Sequence, residues 1–263
     1  MFSSLAKLAR LCTAAAVSRH KEKFMTDRRF FTSDQLRYIA FGAMLLDHLY
    51  VTVFPGQLWM NCAGRIAFPL FAFELVQGYI HTRDLRRYAA RLLILALLSE
   101  IPFNMAVGAS LLFPQRQNVV WTLLAGLAVC LCADRLAAER TVSGRLPYLL
   151  GLLGALLLPE LLMTDYGTDG VMLILLFWLT RSGGVLCGVL QAAVMFVMWQ
   201  FMFVGRVVFI GAFGLQTQCF ALLSLPLIWL YNGKRGRVLQ CAAYAFYPVH
   251  LLILGAVRML RAA

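Results

Sequence analysis

Apolar runs recur along this chain at the length a helix needs to cross a lipid bilayer, and that repetition constrains the fold more than any other feature. About 20 residues of α-helix span a hydrocarbon core. On that template the sequence holds about nine runs, at 36–54, 66–80, 88–107, 119–133, 146–163, 171–180, 185–204, 207–230 and 238–257. The sixth is short, which predicts a tilted or re-entrant segment. Lipid offers the backbone no hydrogen-bond partners, so such runs are expected to be helical. The sequence therefore predicts an all-α, polytopic transmembrane helix bundle with about nine spans. Composition agrees, with 61% hydrophobic and 14% charged residues and a mean hydropathy of +0.76. A soluble domain carries roughly 25% charge, so an ordinary cytosolic protein is excluded.

The formal net charge is +12, but the basic residues sit in short connections between apolar runs, where they set orientation rather than bind nucleic acid. With a cytoplasmic N-terminus, 19 of the 24 Lys and Arg fall on the inner side. The outer five are Arg65, Arg116, Arg206, Arg258 and Arg261. This predicts an N-in protein of the cell membrane. Residues 1–33 read as a basic cytoplasmic extension without the apolar core of a secretory leader, and 34–258 as one transmembrane domain. Thr32, Ser33 and Asp34 supply the N-cap of the first helix.

Ionisable groups within spans are costly and mark functional candidates. Asp47 and His48 lie about 18 Å into the first span, at 1.5 Å per residue. Glu100 and His250 lie equally far into the third and ninth spans, which run in the same direction. Gly64 with Arg65, Asn118 and Thr122 approach this level from the other side, and Asp165 and Tyr166 follow the fifth span. Asn104 is one turn beyond Glu100. These groups are expected to crowd one outward-facing vestibule. Asp47 cannot share the direction of His48 on a helix, and Arg65 is its candidate partner. Glu100 has a plainer alternative, satisfying backbone groups freed by Pro102.

A second polar line, Glu74, Gln77 and His81, descends one helix face toward Arg83, Arg86, Arg87 and Arg91. It reads as a path ending in a phosphate site, or as an Arg-rich loop that only sets topology. The seven cysteines read as small hydrophobes with no metal role. Gln191, Gln200, Gln216 and Gln218 read as ordinary packing residues.

Seven segments are recognisable together: MLLDHLY at 44–50, AGRIAFPLFAF at 63–73, GYIHTRD at 78–84, SEIPFN at 99–104, QNVVWTLLAGL at 117–127, DYGTDGVMLIL at 165–175 and YAFYPVHLLIL at 244–254. With them the chain resembles the TraX family. The resemblance implies a multi-spanning membrane acetyltransferase of the kind that N-acetylates pilin. Asp47 and His48 fall on the family's Asp-His pair. Gly64, Arg65, Phe68 and Pro69 fall on its Gly-Arg-x-x-Phe-Pro segment, and His250 falls on its near-C-terminal His. SEIPFN and GYIHTRD fit a branch outside conjugation systems.

Acetyl transfer needs a base, groups that face a developing oxyanion, and a place for the CoA leaving group. His48 is expected to be the base, with His250 or Arg65 stabilising the tetrahedral intermediate. Glu100 and Asn118 would orient the partners, and Asn104, Thr122, Asp165 and Tyr166 would contact the acceptor. Acetyl-CoA would meet His81, Arg83 and Arg87 from the cytoplasm. The acceptor, an extracytoplasmic protein or glycan, would come from outside. The competing class is a small solute or proton-coupled transporter. It would need access from both faces and usually shows matched broken helices, which the sequence lacks.

Overall fold

The first helix, α1 (Ser33–Thr52), begins at a capping box: Thr32 accepts from the Gln35 amide, and the Gln35 side chain accepts from the Thr32 amide. The computed structural model describes residues 30–203, 205–236 and 240–262. The basic extension as far as residue 29, Cys12, Arg237 and the side chain of Cys241 lie outside the described residues.

After α1 come α2 (Leu58–Gly64), α3 (Ala67–His81), α4 (Leu85–Gly108), α5 (Val119–Ala138), α6 (Val142–Leu161), α7 (Gly167–Leu179) and α8 (Val185–Val197), which continues into a π turn at Met198–Met202. A two-stranded hairpin follows, β1 (Val207–Ile210) with β2 (Phe213–Gln216), paired antiparallel with Val207 opposite Gln216. A 3-10 segment (Thr217–Leu223), α9 (Ser224–Trp229) and α10 (Gln240–Ala262) complete the chain.

Among the described residues, four helices are long and apolar enough to cross a membrane, namely α4, α5, α6 and the stretch Val185–Met202, and α7 is a shorter apolar helix. The chain is thus a mostly helical membrane protein. Eight of the nine expected runs coincide with helices. The run at 207–230 does not form one helix: its first ten residues make the hairpin, and the rest splits into the 3-10 segment and α9. Gly211 lies in the hairpin turn at φ 63°, a backbone conformation that interrupts any helix there.

The core lies where α1, α3, α5, α7 and α10 meet, around Leu36, Leu70, Leu173, Ile174 and Leu251, all fully buried. By contrast α6 buries only Ala155 and Pro159, while Leu146, Leu150, Leu153 and Leu157 are exposed, as a lipid-facing helix requires. In the connection before α6, the Thr141 amide and hydroxyl and the Arg140 amide donate to Glu139 and hold its carboxylate below the usual range.

Helices α1, α4 and α10 run in the same direction. Arg258 donates to the carbonyls of Ala106 (2.6 Å) and Val107 (2.7 Å) at the end of α4, and Arg261 to Val53 O (3.1 Å) just past α1. Gly255 lets α10 close on α4: a Cβ there would stand 2.6 Å from Met105 Cβ and 2.9 Å from the Ala106 nitrogen. Since backbone cannot give way as a flexible side chain does, Gly255→Ala should destabilise the protein by about 1–3 kcal/mol. Thermal unfolding in detergent measures this, and an unchanged midpoint would show that the two helices can separate freely.

Candidate functional site

Two histidines 202 positions apart touch at the end of the bundle where α1, α4 and α10 finish. His48 Nδ1 lies 2.7 Å from His250 Nε2, with the rings stacked at 4.9 Å between centroids. His250 Nδ1 lies 2.7 Å from the carbonyl of Phe246. A carbonyl only accepts, so that nitrogen carries a proton. In the neutral pair, His250 Nε2 is then the acceptor and His48 Nδ1 the donor. This leaves His48 Nε2 with a free lone pair and no hydrogen-bond partner among the described residues. A ladder of rings holds the pair: Phe246 stacks on His250 at 4.8 Å and on Phe41 at 4.6 Å, and Phe41 contacts Phe71 at 5.7 Å.

Asp47 points the other way and forms an ion pair with Arg65, as the helical offset anticipates. Asn61 Nδ2 also donates to Asp47, at 2.8 Å. Arg65 caps the end of α2 and donates further from Nε to Asn61 O (3.3 Å) and from Nη1 to Gln218 Oε1 (3.1 Å). The preceding residue must be glycine, because a Cβ at Gly64 would stand 2.4 Å from Asp47 Cβ. Beside this hub the ring of Tyr166 stacks on Phe68 at 3.8 Å and 8°, and Arg116 pairs with Asp165 at 2.8 Å.

These groups surround a cavity of about 70 Å³, several times the roughly 10–15 Å³ that one water needs. Its polar wall is Asp47, His48, Arg65, Arg116, Asp165 and Tyr166, and its apolar wall is Val51, Phe103, Val107 and Phe203. His250 stands behind His48 and touches it without lining the cavity itself.

Other expected site residues lie elsewhere. Glu100 accepts from Asn118 Nδ2 and from Trp121 Nε1 (3.0 Å), so it ties α4 to α5 instead of serving the backbone near Pro102. Asn118 also donates to Ala96 O at 2.9 Å, and its Oδ1 caps α5 by accepting from the Val120 amide. Asn104 Nδ2 donates to Leu111 O at 3.2 Å, and Thr122 bonds Thr164 at 2.9 Å. None of Glu100, Asn104, Asn118 or Thr122 lines the cavity. His81, Arg83 and Arg87 are exposed at the opposite end of the bundle. There His81 Nδ1 is engaged with Gln77 O at 2.8 Å, and Arg87 pairs with Asp84 at 3.0 Å. Glu74, in the same polar line, is bound by Ser33 and Arg37.

Several contributors went unassigned in the sequence, among them Arg116, which counts there only as an outer-side cation, and Asn61, Gln218 and Phe203. Asn61 precedes Arg65 by one turn of α2, a spacing that would have found it. Gln218 reads as a packing amide but is fully buried against Arg65. Phe203 carries no local signal. The Asp47–Arg65 pair is mostly buried, with side chains 20% and 14% exposed. Removing one partner strands the other's charge, so Asp47→Ala should cost about 3 kcal/mol and the double variant Asp47→Ala/Arg65→Ala less than the sum of the singles. Unfolding midpoints of the three variants test this, and strict additivity would show that the pair contributes no coupling.

Sequence comparison places these residues among relatives. A family model described as TraX protein matches residues 32–258. The chain is 30% identical over 249 residues to the probable fimbrial assembly protein FimC, serogroup H1, of Dichelobacter nodosus, covering 87% of this chain and 96% of that protein. No solved structure matches. The family match spans the helices, the hub and both histidines, and the chain belongs to the TraX family.

Proposed function

We propose that this chain is an acetyltransferase of the cell membrane that moves an acetyl group from acetyl-CoA to an amine or hydroxyl on an extracytoplasmic protein or glycan. The observation that carries the reading is the unpartnered Nε2 of His48, backed by His250 and bordering a cavity with Arg65 and Arg116 in its wall. Membership of the TraX family and the fimbrial assembly relative support a surface-appendage subunit as one acceptor.

In this reading the acceptor's lone pair attacks the thioester carbonyl carbon while His48 Nε2 takes the acceptor's proton. The positive charge that develops on His48 is shared through its Nδ1–H toward His250 Nε2. Collapse of the tetrahedral intermediate breaks the C–S bond, and the CoA sulfur leaves with the proton held by His48. The oxyanion needs preorganised donors. Arg65 uses three of its five N–H groups in its hub, which leaves two to serve it. Arg116 is a further cation in the cavity wall.

The basic connections at the far end favour that end as cytoplasmic, with the N-terminus inside and the His48 end outside. Exposed His81, Arg83 and Arg87 then suit a first docking of the donor's phosphates, Arg87 exchanging Asp84 for a phosphate, before the thioester moves on to react at the His48 end. The acceptor arrives at the His48 end.

General acid–base catalysis contributes typically 10²–10⁴-fold. His48→Ala should therefore lower acceptor-dependent CoA release by at least about a hundredfold while membrane insertion is retained. His250→Ala should lower kcat with little change in KM, because it acts by holding the tautomer of His48. Purified protein assayed with acetyl-CoA and an envelope extract measures both. CoA release undiminished in His48→Ala, or solute movement into proteoliposomes with no CoA release at all, would sink the reading.

A further inference from the structure

A larger hollow adjoins the His48 cavity. It is an open groove of about 250 Å³ lined by Gln115, Arg116, Pro159, Glu160, Met163 and Thr164. Arg116 lines both spaces, so the Arg116–Asp165 pair forms the threshold between them.

The groove is braced from below. The Gln117 amide donates to Met163 O at 2.9 Å, Gln117 and Thr164 form an isolated parallel bridge, and the Thr164 amide donates to Pro159 O at 2.9 Å. Met163 holds φ 53°, in the left-handed region. A residue with a Cβ is strained there by about 1–3 kcal/mol, and such strain concentrates at ligand-binding positions.

The charges in the groove are unbalanced. Arg116 is neutralised by Asp165, whereas Glu160 has no cationic partner among the described residues. One Glu160 oxygen accepts from the Thr168 amide at 3.3 Å, which fixes the carboxylate beside the groove. Asp169, in the first turn of α7, adds negative charge within electrostatic reach of Glu160.

We propose that this groove is the acceptor subsite, in which Glu160 binds a cationic group flanking the nucleophile while the nucleophile passes Arg116 to reach His48. The assignment rests on the acetyltransferase reading for its kinetics, but the groove's preference for a cation is independent of the chemistry.

The test uses the full-length protein in detergent and two probes, Gly-Arg-Gly amide and Gly-Glu-Gly amide, whose reacting α-amine is the same. With acetyl-CoA as donor, the wild type should use the Arg peptide about tenfold better in kcat/KM, as one charge-assisted contact gives. In Glu160→Gln, which keeps an oxygen for the Thr168 amide, the preference should fall to within about twofold, through KM and not kcat. A wild type indifferent to the two peptides, or a preference unchanged in the variant, overturns the proposal. A second arm measures binding of fluorescein-labelled Gly-Arg-Gly amide to His48→Ala protein. Binding about tenfold weaker after adding Glu160→Gln supports the subsite even if no CoA is released and the transferase reading has failed. Equal binding by the two proteins refutes the subsite even if transfer is observed.

Discussion

The guanidinium of Arg65 is the group around which this end of the bundle is built. A charged side chain at membrane depth costs about 2.5–3.5 kcal/mol even on insertion scales, so its hydrogen bonds have to be supplied from the protein. The donors of Arg65 reach three separate elements: Asp47 on α1, Asn61 on α2, and Gln218 in the 3-10 segment. Satisfying one cation therefore fixes how α1, the α2–α3 connection and the chain after the hairpin close together. Gly64 lets α2 come near enough for the contact to form.

That hub also decides where His48 points. Adjacent residues on a helix diverge by about 100°, so turning Asp47 toward Arg65 turns His48 toward α10. The aromatic ladder from Phe71 through Phe41 and Phe246 to His250 then sets the rotation of α10 against α1. Close approach of Gly255 to Met105 sets its height against α4. Rotation and height together bring His250 Nε2 to His48 Nδ1. The ion pair and the histidine pair are one construction, with the backbone of residues 47 and 48 as its hinge point.

What the sequence made legible follows from the reach of the interactions involved. Hydrophobic run length is local, and it located most of the helices. Depth within a span is also nearly local, needing only a start position and a rise per residue, and it brought His48 and His250 to one level before any contact was known. It placed Glu100 at that level too but could not give its azimuth, which depends on how α4 packs. The carboxylate turns to Asn118 and Trp121 on α5 and away from the cavity. The run at 207–230 misled because apolar content alone does not separate a helix from a hairpin. Gly211 in the turn and the β-branched Val207 and Val208 were the local evidence for strand. That misreading hid Gln218, whose partner lies 153 positions away. Among the arginines after His81, the local pairing of Arg87 with Asp84 one turn away is likewise a matter of side-chain direction that sequence spacing alone does not give.

The wall of the cavity explains why so few polar groups suffice there. Val51, Phe103, Val107 and Phe203 close one side, and these carry no dipoles to reorient. A charge developing beside His48 is screened less than it would be in water, and interactions at an effective dielectric near 20 are about four times those in bulk water. Arg65 and Arg116 would then act on such a charge from fixed positions, with little reorganisation to undergo. The same low polarity makes any solitary charge in the cavity unfavourable, which is consistent with the two arginines there being paired, Arg65 with Asp47 and Arg116 with Asp165. Under the proposed function, catalysis would rest on a cavity close to neutral at rest, in which the proton shared between two imidazoles is the charge that would move.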